Sequence, residues 1–363
     1  MAVLKSQIQK VDRLLLFLVV GLVFFGVLMV YDSSMVTAFR HFGDKYFYVR
    51  QQALFTVLGL GMMAVIARID YHRLAGLVNL LMLGVIILLV LVLIPGLGTS
   101  ALGARRWLGV SGFSFQPAEV AKLVFVLYLA KMFTQKAKLL PFLAISGILS
   151  LLIMLEPDLG TTVIILTSGF LLFFAAGANL FFLVPVGIIS ILSGIVLILT
   201  SPYRKERFLT FFDSSRDPLG ASYHIRQALI ALGSGGLFGL GVGASRQKYE
   251  YLPESMTDSI FAVIGEELGF LGATVLVLTF LFLIWRGFKI ATQAPDRFGQ
   301  LLAIGISSWV GVQAMVNLGA MVALVPLTGV PLPFISYGGS SLVITLMGAG
   351  VLLNISKHKV KKK

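Results

Sequence analysis

The chain has 363 residues, of which 58% are hydrophobic and only 12% charged. A soluble domain carries about 25% charged residues, so this composition excludes a soluble fold and indicates an integral membrane protein. No cysteine is present, which excludes a disulfide framework and a thiolate metal site. The net charge of +13 comes without any nucleic-acid-binding motif, so it points to anionic lipid or substrate and not to nucleic acid.

Lys5, Lys10 and Arg13 precede an apolar run over residues 14–30, predicted as span 1. No small-residue cleavage site follows it, which argues against a signal peptide. Residues 31–51 are expected to form a polar loop. Spans 2 and 3 are predicted over about 52–66 and 74–94, lengths suited to a hydrocarbon core of about 30 Å. Residues 96–116 read as a Gly-rich loop containing Arg105, Arg106 and Trp107. Span 4 opens at Pro117, a favourable first helical residue, and runs to about 133. It carries Glu119 and Lys122, three residues apart and so on one helix face. Span 5 covers 139–155, Glu156-Pro157-Asp158 forms a tight acidic turn, and spans 6 and 7 cover 159–176 and 180–200.

Residues 201–258 make the one long hydrophilic segment, with Arg204, Lys205, Arg207, Arg216, Arg246 and Lys248 around a Gly-rich stretch. Within it, 223–232 has the pattern of an amphipathic interfacial helix. Spans 8, 9 and 10 follow at about 259–285, 301–325 and 342–355, with a Pro/Gly-rich turn over 330–341. The predicted fold is an all-α polytopic membrane protein, a single domain of ten spans over 1–363. Arg68, Arg73, Lys131, Lys136, Lys138, Arg286, Lys289, Arg297 and the C-terminal lysines share one side of this arrangement. The opposite short loops hold fewer basic residues, so both termini are expected in the cytoplasm and the long loop outside.

Asp258 is the outstanding residue, at the junction of the long loop and span 8. Glu266 and Glu267 follow inside the span, where carboxylates are expensive and usually face a cavity or carry function. Arg105, Arg106, Lys122, Arg216 and Lys248 supply positive charge to the outer loops. Gly-Ser backbone at 233–236 and 338–341 offers N–H groups to phosphate, with Ser336 and Ser340 as further substrate contacts. Cations beside one poised carboxylate suit group transfer with an anionic phosphate leaving group. Plainer readings stand beside these. Asp258 has the position of a helix N-cap, and Glu119 with Lys122 that of a structural ion pair. Glu266 and Glu267 are placed to meet a neighbouring helix, and the arginines to anchor headgroups. The four histidines, at 41, 72, 224 and 358, are scattered and form no zinc pattern. No metal ligands are assigned, and a divalent cation such as Mg or Mn held by carboxylate and phosphate stays open.

Six stretches then become specific together. They are GARRWL (103–108), QPAEVAKL (116–123), EPDLGT (156–161), DPLGASYHIRQALIALGSGGLFGLGVG (217–243), QKYEYLPESMTDSIFAVIGEELG (247–269) and VPLTGVPLPFISYGGSS (325–341). In these, and in their order, the chain resembles the SEDS family, the RodA, FtsW and SpoVE proteins of bacterial wall synthesis. The GARRWL and GSGGL forms lean to the FtsW-like division branch, from which Ser255-Met256 departs. The resemblance implies a ten-span peptidoglycan glycosyltransferase of the bacterial cytoplasmic membrane. It acts at the outer face on lipid II, a disaccharide-pentapeptide on undecaprenyl pyrophosphate, beside a class B penicillin-binding protein. It also implies that Asp258 is the essential aspartate, that Glu119 and Lys122 line the cavity, and that Arg106 fills the basic position before Trp107. A lipid II flippase and a non-catalytic scaffold are the alternatives. A flippase needs a polar path through both leaflets, and little charge lies deep in the other spans.

Overall fold

The computed structural model describes residues 11–101, 104–110, 113–178 and 221–358, with isolated positions between 181 and 209. Most of predicted span 7, together with Arg204, Lys205, Arg207 and Arg216, lies outside the described residues. The architecture is mainly helical. Among the described residues, six helices are long and apolar enough to cross a membrane: α1 (Arg13–Phe42), α2 (Phe47–Ile66), α3 (Tyr71–Leu93), α8 (Ile260–Gln293), α9 (Arg297–Met321) and α10 (Gly339–Lys357). Between them come α4 (Pro117–Met132), the shorter apolar helices α5 (Leu139–Leu155) and α6 (Leu159–Ala175), and α7 (Ala221–Ser234), which covers the expected amphipathic segment.

Two expectations are corrected. The predicted polar loop after span 1 is largely helix, because α1 continues to Phe42 and stops only at Gly43, whose φ of 67° ends it in the left-handed region. No glycine or proline interrupts 31–42, and Ser33 and Ser34 are buried against the protein. The fold is also not purely helical. The expected loop after α3 contains a three-stranded antiparallel sheet in the order β1 (Gly98–Ala101), β2 (Ala104–Val110), β3 (Phe113–Phe115). Thr99 pairs with Trp107, and Leu108 with Phe115. Such β-branched and aromatic residues suit a pleated surface, whereas the glycines around them gave the segment the look of a loop.

Local chemistry sets the helix ends. Asp12 caps α1 by accepting from the Leu15 N–H at 3.1 Å, Asp158 caps α6 through Thr161, and Asp296 caps α9 through Gly299. α4, α9 and α10 form the interior, and α2, α3 and α8 turn most of their surface outward. α10 lies tightly along α2. A Cβ added at Gly350 would come within 2.8 Å of the Met63 carbonyl, so only glycine permits this approach.

α8 is broken at Gly269, where φ is 67° and ψ −170°. The backbone of 236–241 docks into the break. The Leu240 and Gly241 N–H groups donate to the Glu266 and Glu267 carbonyls, both at 3.0 Å. In return the Phe270 and Leu271 N–H groups donate to Gly236 and Leu237 at 2.8 and 3.1 Å. Polar groups freed by the break are thereby satisfied inside the protein, as apolar surroundings require.

Candidate active site

Asp258 is buried immediately before α8. The N-cap position falls on Ser259, which makes no side-chain cap bond, so the capping reading of Asp258 does not hold. What fixes Asp258 comes from three other elements. Asn317 on α9 donates to the Asp258 carbonyl at 2.7 Å and to the Val330 carbonyl at 2.8 Å. Ser336 donates to the carbonyl of Thr257, and the Tyr337 N–H donates to that of Met256 at 2.9 Å. Gln52 on α2 holds this turn in place by donating to the Ser336 carbonyl at 3.2 Å. The Thr257 hydroxyl lies 3.3 Å from Asp258 Oδ1, and a Cβ at Gly329 would lie 3.9 Å from Oδ2. His224 on α7 bonds the hydroxyl of Ser259, next to the aspartate. Glu254 and Phe334 adopt positive φ, 51° and 66°, on either side of the site. Non-glycine residues in that region are strained and collect where function over-determines the backbone.

A second cluster reaches the same wall from inside the bundle. Lys122 Nζ lies 2.8 Å from Glu119 Oε1 and 2.8 Å from Gln313 Oε1, and 5.7 Å from the centre of the Trp309 ring. All four residues are buried. Gln313 donates onward to the Pro331 carbonyl at 3.0 Å. Gln313 and Asn317 are four apart on α9, so one face of one helix ties the buried cation to the turn that supports Asp258. The expected Glu119–Lys122 pair is therefore present, with Gln313 as a third member.

The sheet makes a third part. Arg106 on β2 donates from Nε to the Glu156 carbonyl at 3.0 Å and from Nη2 to the Pro157 carbonyl. It straps the sheet to the acidic turn between α5 and α6, while Arg105 on the opposite face of the strand is exposed. Asp158 accepts from Gln116 Nε2 at 3.1 Å, and the Gln116 N–H donates to the Ser340 hydroxyl at 3.1 Å. A Cβ at Gly160 would meet the Thr328 carbonyl at 2.9 Å, so the head of α6 packs on the turn that flanks Asp258. Glu156 itself is buried. Burial pushes its carboxyl up to about 8, the nearby Asp158 charge adds to this, and Arg106 opposes it.

Two predicted substrate contacts are placed elsewhere by their geometry. An ammonium has three N–H donors, and Lys248 directs them to Asp32 Oδ1 at 2.7 Å, the Gly243 carbonyl at 2.8 Å and Glu267 Oε1 at 3.0 Å. It is fully buried and fastens the long loop to α1 and α8. Ser336 is also buried, and its hydroxyl both donates to Thr257 and accepts from the Leu332 N–H at 2.8 Å, so it positions the loop. Glu266 meets the neighbouring segment as the plainer reading expected, accepting from Ser245 Oγ and from the N–H groups of Arg246 and Gln247. Gln52, Asn317, Gln313, His224 and Glu156 escaped the sequence reading. The available signal was polar residues four apart, Gln313 and Asn317, within an apolar run.

The family model described as a cell cycle protein, covering FtsW, RodA and SpoVE, matches residues 12–361. Stage V sporulation protein E of Bacillus subtilis is 43% identical over 96% of this chain and 97% of that protein. A probable peptidoglycan glycosyltransferase FtsW of Geobacter sulfurreducens is 38% identical over 97% and 96%. Among solved structures, a chain from work on polymerisation and crosslinking by a peptidoglycan synthase complex superposes with a TM-score of 0.80 at 30% identity, covering 97% of this chain and 99% of that one. The rod shape determining protein RodA of Thermus thermophilus gives 0.70 at 30% identity, covering 97% and 98%.

Proposed function

The chain belongs to the FtsW, RodA and SpoVE family of cell cycle proteins, and from that premise we propose that it polymerises lipid II into glycan strands at the outer face of the bacterial cytoplasmic membrane. The observation that carries the proposal is Asp258, a buried carboxylate whose backbone is fixed from α2, α9 and the 330–337 turn. In the proposed reaction the 4-hydroxyl of one lipid II sugar attacks the anomeric carbon of the growing strand. The bond to undecaprenyl pyrophosphate breaks, the anomeric configuration inverts from α to β, and Asp258 takes the proton of the attacking hydroxyl. One carboxylate is enough because pyrophosphate is already a good leaving group. A glycosidase acting on a poorer one usually needs two. Arg105, Lys122, Arg216 and the hydroxyl of Ser340 are the proposed groups that meet the departing anion. A divalent cation such as Mg or Mn is proposed to arrive with the pyrophosphate, not in a preformed cage.

The proposed topology has ten spans, both termini in the cytoplasm, and residues 201–258 with Asp258 outside. The proposed partner is a class B penicillin-binding protein that cross-links the product. The similarity to a chain from a peptidoglycan synthase complex supports that pairing. The flippase alternative is disfavoured by the pairing of buried charge. Lys248 is bonded to Asp32 and Glu267, and Arg286 to Asp12, which leaves these ions as fixed struts and not as a graded path through both leaflets.

The test is glycan polymerisation by purified Asp258→Asn protein. Asparagine keeps the shape but takes no proton, so the rate should fall by about 10²–10⁴. A rate within about threefold of wild type would remove the general-base role.

A further inference from the structure

Glu156 differs from the other buried carboxylates among the described residues. Asp12, Glu119, Asp158, Asp258, Glu266 and Glu267 each accept at least one hydrogen bond. Neither carboxyl oxygen of Glu156 meets a protein donor, although the side chain is fully buried. A buried ionised carboxylate without donors is strongly disfavoured, so in this arrangement the group is a neutral acid. A guanidinium is nonetheless at hand. Arg106 sits on the same turn, bonded to the backbone carbonyls of Glu156 and Pro157 and not to the carboxyl.

The charged surroundings are simple. Asp158 and Arg106 are the charges that act on Glu156. α5 carries no ionisable residue, nor does the last turn of α3 or the 328–331 segment packed on Gly160. On α4, Glu119 and Lys122 are paired with each other.

We propose that Glu156 is a proton-controlled positioning residue. As a neutral acid it leaves Arg106 on the carbonyls of the turn. When it releases its proton to solvent it draws the guanidinium into an ion pair. That re-pairing shifts β2 relative to the head of α6, and through Gly160 it reaches the Thr328–Val330 wall beside Asp258. The effect on catalysis rests on the proposed polymerase reading, whereas the re-pairing itself does not. Because the carboxyl sits at about 8, the neutral form holds below that pH and the paired form above it.

The test uses the whole protein in lipid nanodiscs, with two readouts between about pH 6.5 and 9.5. Hydrogen exchange of the 104–110 amides, corrected for intrinsic pH dependence, follows the sheet. The KM for lipid II follows the site. Wild type should show a transition near pH 8 in both, of about three- to tenfold. Glu156→Gln, neutral and of the same shape, should keep the low-pH behaviour throughout. Arg106→Met removes the cation that the ionised carboxyl draws in, so the exchange transition of 104–110 should be lost. A wild-type exchange profile without a transition, or one that persists unchanged in Glu156→Gln, overturns the proposal. An exchange transition in protein that makes no glycan would refute the polymerase reading and leave the proton control standing. If Glu156→Gln does not fold, a transition that persists in Arg106→Met overturns it instead.

Discussion

Replacing Lys248 by methionine should destabilise the packing of α1, the 243–248 segment and α8 before it affects any substrate. The ammonium is fully buried and is the cation shared by Asp32 and Glu267, with bonds of 2.7 and 3.0 Å. Burial works against its charge, but bonds to the two carboxylates outweigh this and hold its pKa above the usual lysine range. It therefore stays charged at every physiological pH. Asp32 Oδ2 and Glu267 Oε2 already lack donors, so removal of the ammonium leaves the buried Glu267 and the half-buried Asp32 almost uncompensated. Breaking a buried pair from one side costs about 3–5 kcal/mol, a large part of the roughly 5–15 kcal/mol that holds a typical domain together. The assay is equilibrium unfolding of purified protein, with Lys248→Met compared against the triple variant Asp32→Asn, Glu267→Gln, Lys248→Met. The triple variant removes the charges together and should recover most of the loss. If Lys248→Met were within about 1 kcal/mol of wild type but bound lipid II more weakly, the buried-strut account would fail and the substrate-contact role would return.

Two further outcomes can be stated. Asn317→Leu removes the donor to the Asp258 and Val330 carbonyls. It should lower kcat about 10- to 100-fold with little change in KM, since misplacement of the reacting group by about 1 Å costs on that order; steady-state kinetics on lipid II would check it. For topology, Lys45→Cys and Thr292→Cys both lie at exposed positions in a background without cysteine. Lys45→Cys should react with a membrane-impermeant thiol reagent in intact cells and Thr292→Cys only after permeabilisation, and the reverse result would invert the proposed orientation.

The long apolar runs were legible because nothing competes with their reading: α3, α5, α6 and α9 start or stop close to the polar and proline residues that bound them. Pro117 opens α4 as its chemistry suggests. The misreadings of residues 31–34 and of Lys248 share one cause, which is that the deciding partner lies far away in sequence. Asp32, Ser33 and Ser34 look like loop residues until Lys248, 216 positions on, neutralises the first and Ser255 donates to the Ser33 carbonyl at 3.3 Å. Lys248 looks like a surface cation for the same reason. The candidate site was half visible. Asp258 and the Glu119–Lys122 pair announced themselves as charges at the edge of, or within, apolar helices. Gln313 and Asn317, which connect them, are uncharged and matter only because α9 passes between the two.

The interruption of α8 divides that helix unequally. Below Gly269, residues 270–293 would extend about 36 Å at 1.5 Å per residue, enough to cross the hydrocarbon unaided. Above it, residues 260–268 form a short post whose carbonyls are bonded to the 236–241 backbone and whose Glu267 is moored through Lys248 to α1. The shaft is held as well, by the Phe270 and Leu271 N–H groups on the same backbone and by Arg286 paired with Asp12. Asp258, seated at the head of the post, is therefore carried on a helix bonded to protein on both sides of its glycine break and tied to α9 through Asn317.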